Sequence, residues 1–380
     1  MLSADLIIRN GHVYDPCGNI DFMGDIAVKD RKIVAYDPPK DIKATKELNV
    51  QGCWVVPGLI DAHTHCNWLG NYIGMPTDIA CIPYGVTATI DAGSTGVSNY
   101  RSLLRYLDTC ETKTKIMLHL SASGQIMSSQ FAENIDPSVW DMELFERAFQ
   151  HCGDRIVGLK LRASKAVLKE LGLDPLHKAL KLADHLNTRL FLHSTDPLVT
   201  MSELTSYLRP HDVVAHMYHG EGETMIKDGR VAEGIIESRK RGVIFDVSQG
   251  KGGFSIEVAR ASIAQGFLPD TISTDLNAEN WNNPLDFSLL MTMSKHMALG
   301  MSFEQVLRCV TGNAAEQMGM QGEIGTLAIG TCADITILKT TDKAVEFRDI
   351  YNNTVRSEQI LMPLATIIDG QVLYRTPDTL

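Results

Sequence analysis

No stretch of this 380-residue chain reaches the roughly 18 uncharged apolar residues that a membrane helix requires, so no membrane-spanning role is expected. The eight cysteines (Cys17, Cys53, Cys66, Cys81, Cys110, Cys152, Cys309 and Cys332) are scattered and form no CxxC pair. That spacing fits neither a disulfide framework nor a zinc finger, and reduced thiols in a cytoplasmic protein are the simple expectation. A basic excess is also lacking: 35 Lys and Arg against 46 Asp and Glu give a formal net charge of -11. Nucleic acids and anionic membranes are recognised through basic footprints, so neither is an expected partner. The opening MLSADLIIRNGHVYD has no basic region followed by an apolar core, and no secretory leader is expected. Internal repeats and low-complexity tracts are absent as well.

What is present is ordinary for a soluble globular protein, with 44% apolar and 21% charged residues. The first fifty residues read as short strands. Asn10-Gly11, between two apolar runs, carries a hairpin signal. The last sixty behave alike, with GTLAIGTCADITILK followed by PLATIIDGQVLYR and its Asp369-Gly370 turn. Both ends are therefore expected to build one small sheet domain (residues 1–54 plus 322–380) around a separate middle (55–321).

In that middle, short apolar strands alternate with segments apolar at helical spacing. The strand candidates are 55–66, 87–94, 115–123, 156–164, 189–195, 213–220, 243–250 and 271–277. Eight strands separated by crossover-length segments predict an α/β fold, a parallel (β/α)₈ TIM barrel. A doubly wound sheet is the poorer fit, because no glycine-rich phosphate turn follows the first strand, which ends in HTHC. In a barrel of this kind chemistry sits at the carboxyl ends of the strands.

The polar residues at those ends form a set. The first strand ends Asp61-Ala-His63-Thr-His65, and alternation sends both histidines to one side. Lys160, His193, His216 and Asp275 stand at four further strand ends. Imidazole suits zinc and similar metals, and a carboxylate can complete the shell.

PGLIDAHTHC, the strand-end Lys, His, His and Asp, and the closing TGNAAEQMG and GTLAIGTCADITIL together resemble the amidohydrolase superfamily. The likeness is to its two-metal branch with a carboxylated lysine, and it implies that the terminal strands join in a small β-sandwich. DAGSTG, VAHMYHG, STDL and TMSKHMALGMSFEQVL are similar to a dihydroorotase-like subgroup that includes enzymes cleaving acetylated small molecules. The resemblance implies that His63, His65 and Asp275 hold one divalent cation and that His193 and His216 hold a second. The implied metals are zinc, with manganese the alternative. It further implies a CO₂-derived carbamate on Lys160 bridging them, a bridging hydroxide as nucleophile, and Asp275 as general base and then general acid.

Other residues admit two readings. His219, three positions after His216, is a rival ligand and a substrate-binding candidate. Ser94 and Thr95 in DAGSTG and Arg162, on the same strand face as Lys160, are the remaining substrate-binding candidates. Each could equally serve a turn or a local ion pair. Gly252 and Gly253 form either a mobile binding loop or a simple turn. Asp61 is expected to fix local geometry rather than bind metal, and His119 to be packed or to brace a ligand from behind rather than bind metal itself. His151, His177, His185 and His296 fall in helical patterns, where a solvated or edge position is the default.

Asn67 occupies the place, two after the second histidine, where dihydroorotase-like enzymes commonly carry an Arg. That counts against dihydroorotase itself. Lys160 counts against the deaminase members, which generally use one metal and no lysine bridge. The resemblance implies, as the expected reaction, hydrolysis of an acyclic amide or ester on a small acidic molecule, such as an N-acyl amino acid or an O-acetyl hydroxy acid. Ring opening of a cyclic amide, as in hydantoinases, is the alternative, and a non-catalytic scaffold the remote one. A small-molecule substrate is the expected partner, and a homo-oligomer is compatible with the sequence.

Overall fold

The computed structural model describes residues 3–127, 131 and 133–377. Its first strand, β1 (Ser3–Asp15), runs straight through Asn10-Gly11, where the sequence suggested a hairpin. Asn10 takes a left-handed φ of 60°, and the pairing with β2 (Ile20–Lys29) shifts register between Ile8 and Gly11. The dipeptide is a β-bulge, not a turn. A side chain on Gly11 would meet Val55 Cγ2 at 2.4 Å, so the glycine is needed for close packing. Strands β3 (Lys32–Tyr36) and β4 (Lys43–Asn49) follow.

The 55–66 run is two strands. β5 (Trp54–Pro57) pairs with β1, while β6 (Leu59–Thr64) begins the barrel sheet. That sheet continues through β7 (Val86–Asp91), β8 (Lys113–His119), β9 (Ile156–Arg162), β10 (Leu190–His193) and β11 (Val213–Ala215). After a small ribbon of β12 (Ile226–Lys227) and β13 (Arg230–Val231), it ends with β14 (Ile244–Phe245). All its pairings are parallel, in the order β14-β11-β10-β9-β8-β7-β6.

The segment 271–277 closes the circle through isolated parallel bridges, Asp246 with Thr271 and Thr64 with Leu276. Backbone bonds from Val247 N to Thr271 O (3.1 Å), from Asp275 N to His63 O (2.8 Å) and from His65 N to Leu276 O (2.7 Å) secure it. The eighth barrel position is thus filled by a chain held at its two ends.

The C-terminal strands β15 (Ile335–Arg348), β16 (Thr354–Ile368) and β17 (Gln371–Arg375) join β5 and β1 in the second sheet. Here Asp369-Gly370 is the expected tight turn, with φ values of 50° and 75°. Ile60, Ala62, Ala88, Ile90, Met117 and Phe191 fill the barrel interior. Leu59, Leu159, Leu161 and Leu192 face the surrounding helices. No helix among the described residues is long and apolar enough to cross a membrane.

Candidate metal centre and active site

Strict alternation from the interior residues Ile60 and Ala62 would turn His63 outward. The pairing of β6 with β7 shifts register between Asp61 and Thr64, and this irregularity reverses the phase so that His63 and His65 face inward. Both then line a cavity of about 130 Å³, together with Lys160, His193, His216 and Asp275. Ile73, Gln125, Arg162, Asn277 and Glu279 complete its wall.

The distances are short. Lys160 Nζ lies 3.2 Å from His63 Nε2, and Asp275 Oδ1 lies 3.2 Å from His65 Nε2 and 3.6 Å from His63 Nε2. The His193 and His216 rings are 4.4 Å apart, and those of His63 and His216 5.3 Å. Ligand atoms of His63, His65 and Asp275 lie within 4.8 Å of one another, spacing that suits a single cation.

The outward nitrogens show that this set fits a metal. His216 Nδ1 donates to the Ser248 carbonyl at 2.7 Å, His63 Nδ1 meets Ser248 Oγ at 2.8 Å, and His65 Nδ1 meets Ser94 Oγ at 3.0 Å. With the far nitrogen engaged in each ring, Nε2 is the atom presented to the cavity, as in metal-binding histidines whose second nitrogen is held by an outer partner.

Burial sets the charges. It lowers His63 to about 4 and His216 to about 3, and drives His193 well down, so these rings are neutral and able to donate lone pairs. Burial, reinforced by Arg162, brings Lys160 down to about 8. For Asp275 burial opposes ionisation, but the His65 contact and the nearby imidazoles outweigh it and hold the carboxyl well below the usual range.

Three residues of the site take left-handed backbone: His216 (φ 64°), Ser248 (φ 42°) and Asp275 (φ 55°). Such conformations cost about 1–3 kcal/mol each and persist where surrounding contacts enforce them. Gly253 belongs to the same design, since a side chain there would meet His216 Nδ1 at 2.3 Å, whereas Gly252 has nothing within 4 Å. The Gly252-Gly253 pair is therefore more than a turn: its second residue lets the loop backbone close on a histidine.

The substrate-binding candidates divide. Arg162 lines the cavity. Its Nη1 is paired with Glu133 at 3.1 Å, while its buried Nε has no hydrogen-bond partner. Ser94, expected to touch substrate, lies behind His65 and does not line the cavity; Asp91 Oδ1 accepts from its amide at 2.8 Å. Thr95 is fully buried beside it, its carbonyl accepting from His119 N at 2.9 Å, and is likewise off the cavity wall. His219 is buried outside the cavity, and burial lowers it to about 4. His216 is the histidine of that pair which reaches the cavity.

Asp61 accepts from Thr274 N at 3.0 Å and Thr274 Oγ1 at 2.5 Å, fixing the residue before Asp275. His119 is packed, as expected. His296 departs from its expected edge position and is fully buried, packed against the Tyr218 and Phe254 rings.

Sequence reasoning missed Gln125, Asn277 and Glu279 on the wall, and Asp246, Ser248 and Glu133 behind it. Asp246 and Ser248 fall within the strand candidate 243–250, and their alternate spacing there was the only available signal.

The description Amidohydrolase family matches residues 54–373. A deacetylase of Agrobacterium fabrum is 30% identical over 347 residues, covering 89% of this chain and 83% of that protein. Among solved structures, an adenine deaminase superposes with a TM-score of 0.89 at 26% identity, covering 98% of this chain and 100% of that one. A dihydroorotase does so with a TM-score of 0.87 at 27% identity, covering 98% of each. The strand-end motifs, the closed barrel and these similarities agree: the chain belongs to the amidohydrolase family and is a metal-dependent hydrolase.

Proposed function

We propose that this hydrolase removes an acyl group, such as acetyl, from a small acidic molecule by cleaving an acyclic amide or ester bond. N-acyl amino acids and O-acetyl hydroxy acids are the substrate types. The observation that carries this reading is Arg162 in the wall of the same cavity as the histidine cluster. Glu133 holds one end of the Arg162 guanidinium in place, and the remaining donors would meet a substrate carboxylate beside the reacting groups. The 30% identity to a protein named deacetylase supports the acyl chemistry. Asn67 is buried and does not line the cavity, so no Arg grips a carboxylate from that position.

His63, His65 and Asp275 would hold one divalent cation, His193 and His216 the other, with Lys160 between them as a carbamate. Bound there, zinc (or manganese in its place) would polarise the scissile carbonyl and acidify water. A carbamate forms when a neutral amine attacks CO₂, making the N–C bond and losing a proton. Burial of Lys160 favours that neutral amine. Asp275 accepts the proton of the attacking water and returns it to the leaving nitrogen or oxygen. Arg162 orients the acid group.

Ring opening of a cyclic amide is a second reading, favoured by the likeness to a dihydroorotase over 98% of the chain. A screen of metal-loaded protein separates them, using N-acyl amino acids, O-acetyl hydroxy acids, their uncharged amides and esters, hydantoins, dihydroorotate and adenine. The acidic acyl compounds should turn over at least about tenfold faster than their uncharged counterparts, the worth of one charge-assisted contact. Turnover confined to the cyclic amides replaces the first reading with the second, and turnover of adenine alone overturns both. Protein that binds no metal and turns over nothing would be a scaffold.

A further inference from the structure

Ser248 follows β14 and touches two histidines from opposite halves of the cluster. Its Oγ lies 2.8 Å from His63 Nδ1, and its backbone carbonyl accepts from His216 Nδ1 at 2.7 Å. Its hydroxyl also contacts Asp246 Oδ2, which accepts from Ser273 Oγ at 2.6 Å, while Asp246 Oδ1 accepts from Thr271 Oγ1 at 2.6 Å.

These partners fix the direction of each bond. A carboxylate only accepts, so the Ser248 hydroxyl donates to Asp246 and its oxygen is left to accept from His63 Nδ1–H. A carbonyl only accepts, so His216 also carries its proton on Nδ1. Both rings therefore present a lone pair at Nε2 toward the cavity. One residue reaches both from a left-handed backbone, with φ at 42°.

We propose that Ser248, keyed by Asp246, is a positioning residue that sets the tautomer and aim of His63 and His216 together, and so couples the two cation positions. The proposal rests on the reading of His63 and His216 as ligands of different cations. Asp246 makes its hydrogen bond to Ser248, its nearest oxygen lying 3.7 Å from His63 Nδ1, beyond hydrogen-bond distance.

The test is zinc binding by chelator competition on the full chain, with absorption of the cobalt-substituted protein as a second readout. Ser248→Ala keeps the carbonyl contact and loses the hydroxyl. It should weaken one zinc about 10–100-fold, the usual cost of removing an outer partner, alter the cobalt spectrum and leave the second zinc much less affected. Ser248→Gly, which relaxes the backbone, should show the same loss. Asp246→Asn should reproduce it, and the double variant Asp246→Asn/Ser248→Ala should bind no more weakly than Ser248→Ala alone.

Wild-type protein that binds two zinc ions alongside a Ser248→Ala protein that binds both equally well overturns this inference alone. Losses from Asp246 and Ser248 that add also overturn it. Wild-type protein that binds fewer than two zinc ions overturns both this inference and the ligand reading. Should the variants not fold, imidazole ¹⁵N shifts of wild-type zinc protein decide: Nδ1–H on His63 and His216 supports the proposal, and Nε2–H on either overturns it.

Discussion

Asp275 sits in a left-handed conformation, with its amide bonded to the His63 carbonyl at 2.8 Å and its own carbonyl accepting from Asn277 Nδ2 and Asn280 Nδ2 at 3.0 and 3.1 Å. The backbone is pinned from both sides, so the aim of the carboxylate does not depend on its being charged. Asp275→Asn should therefore keep the fold and most bound metal while lowering turnover about 10²–10⁴-fold, the range for a lost general base. Metal content measured with the steady-state rate checks this, and a variant with metal and full rate would place proton transfer elsewhere. Lys160 is the complementary case. Its ammonium beside His63 Nε2 would repel two cations, whereas a carbamate attracts them. Lys160→Ala should lower metal occupancy and abolish turnover, with formate or acetate partly restoring both. Normal activity in that variant would end the carbamate proposal.

At the scale of elements, the buried helix Leu289–Ala298 makes a pH-dependent contribution. His296 donates from Nδ1 to Thr292 O at 2.8 Å, and its Nε2 has no hydrogen-bond partner. Burial lowers it to about 4, below the value near 6.5 of an exposed imidazole. The sign follows: the folded state binds fewer protons there, so the contribution is complete above pH 6.5 and is lost as pH falls toward 4. By pH 5 the loss is about 2 kcal/mol. His296→Phe should lose about that much less than wild type between pH 7 and pH 5, measured as unfolding free energies of metal-stripped proteins. An equal loss in both would assign the slope to other buried histidines. This histidine was misread because helical spacing alone does not say how many faces a helix buries. Strand ends were more legible: alternation and the carboxyl-end rule placed Lys160, His193, His216 and Asp275 around one cavity. The inward aim of His63 and His65 was also expected, although a register shift against β7, and not plain alternation, is what turns His63 inward. Asp246 and Ser248 were not legible, since they lie behind other residues and carry no motif of their own.

The whole molecule gathers histidines, a lysine and an aspartate from separate barrel strands into one buried cavity, in a chain of net charge -11. Burying that many polar groups is unfavourable unless something satisfies them. The outer hydrogen bonds satisfy Nδ1 of His63, His65 and His216 and aim Nε2 inward, so cations are what the arrangement is built to receive. A ligand that binds only the folded chain stabilises it by about 2.7 kcal/mol at a hundredfold over its Kd, and two ions roughly double that. Protein prepared with zinc and bicarbonate should carry about two metals per chain. Chelation should lower its thermal midpoint by several degrees, and added zinc should restore it in two saturable steps rather than one. The segments that carry His63, His65 and Asp275 also close the barrel, since Asp275 and His65 bond across the seam between the first strand and the eighth. Hydrogen exchange on stripping should therefore rise first along 271–277 and at the end of β6, before the terminal sheet responds. A single tightly bound ion, with no change on adding metal or bicarbonate, would sink the two-cation reading. A thermal midpoint indifferent to chelation would mean that the cluster is held by the chain's own hydrogen bonds and not by metal.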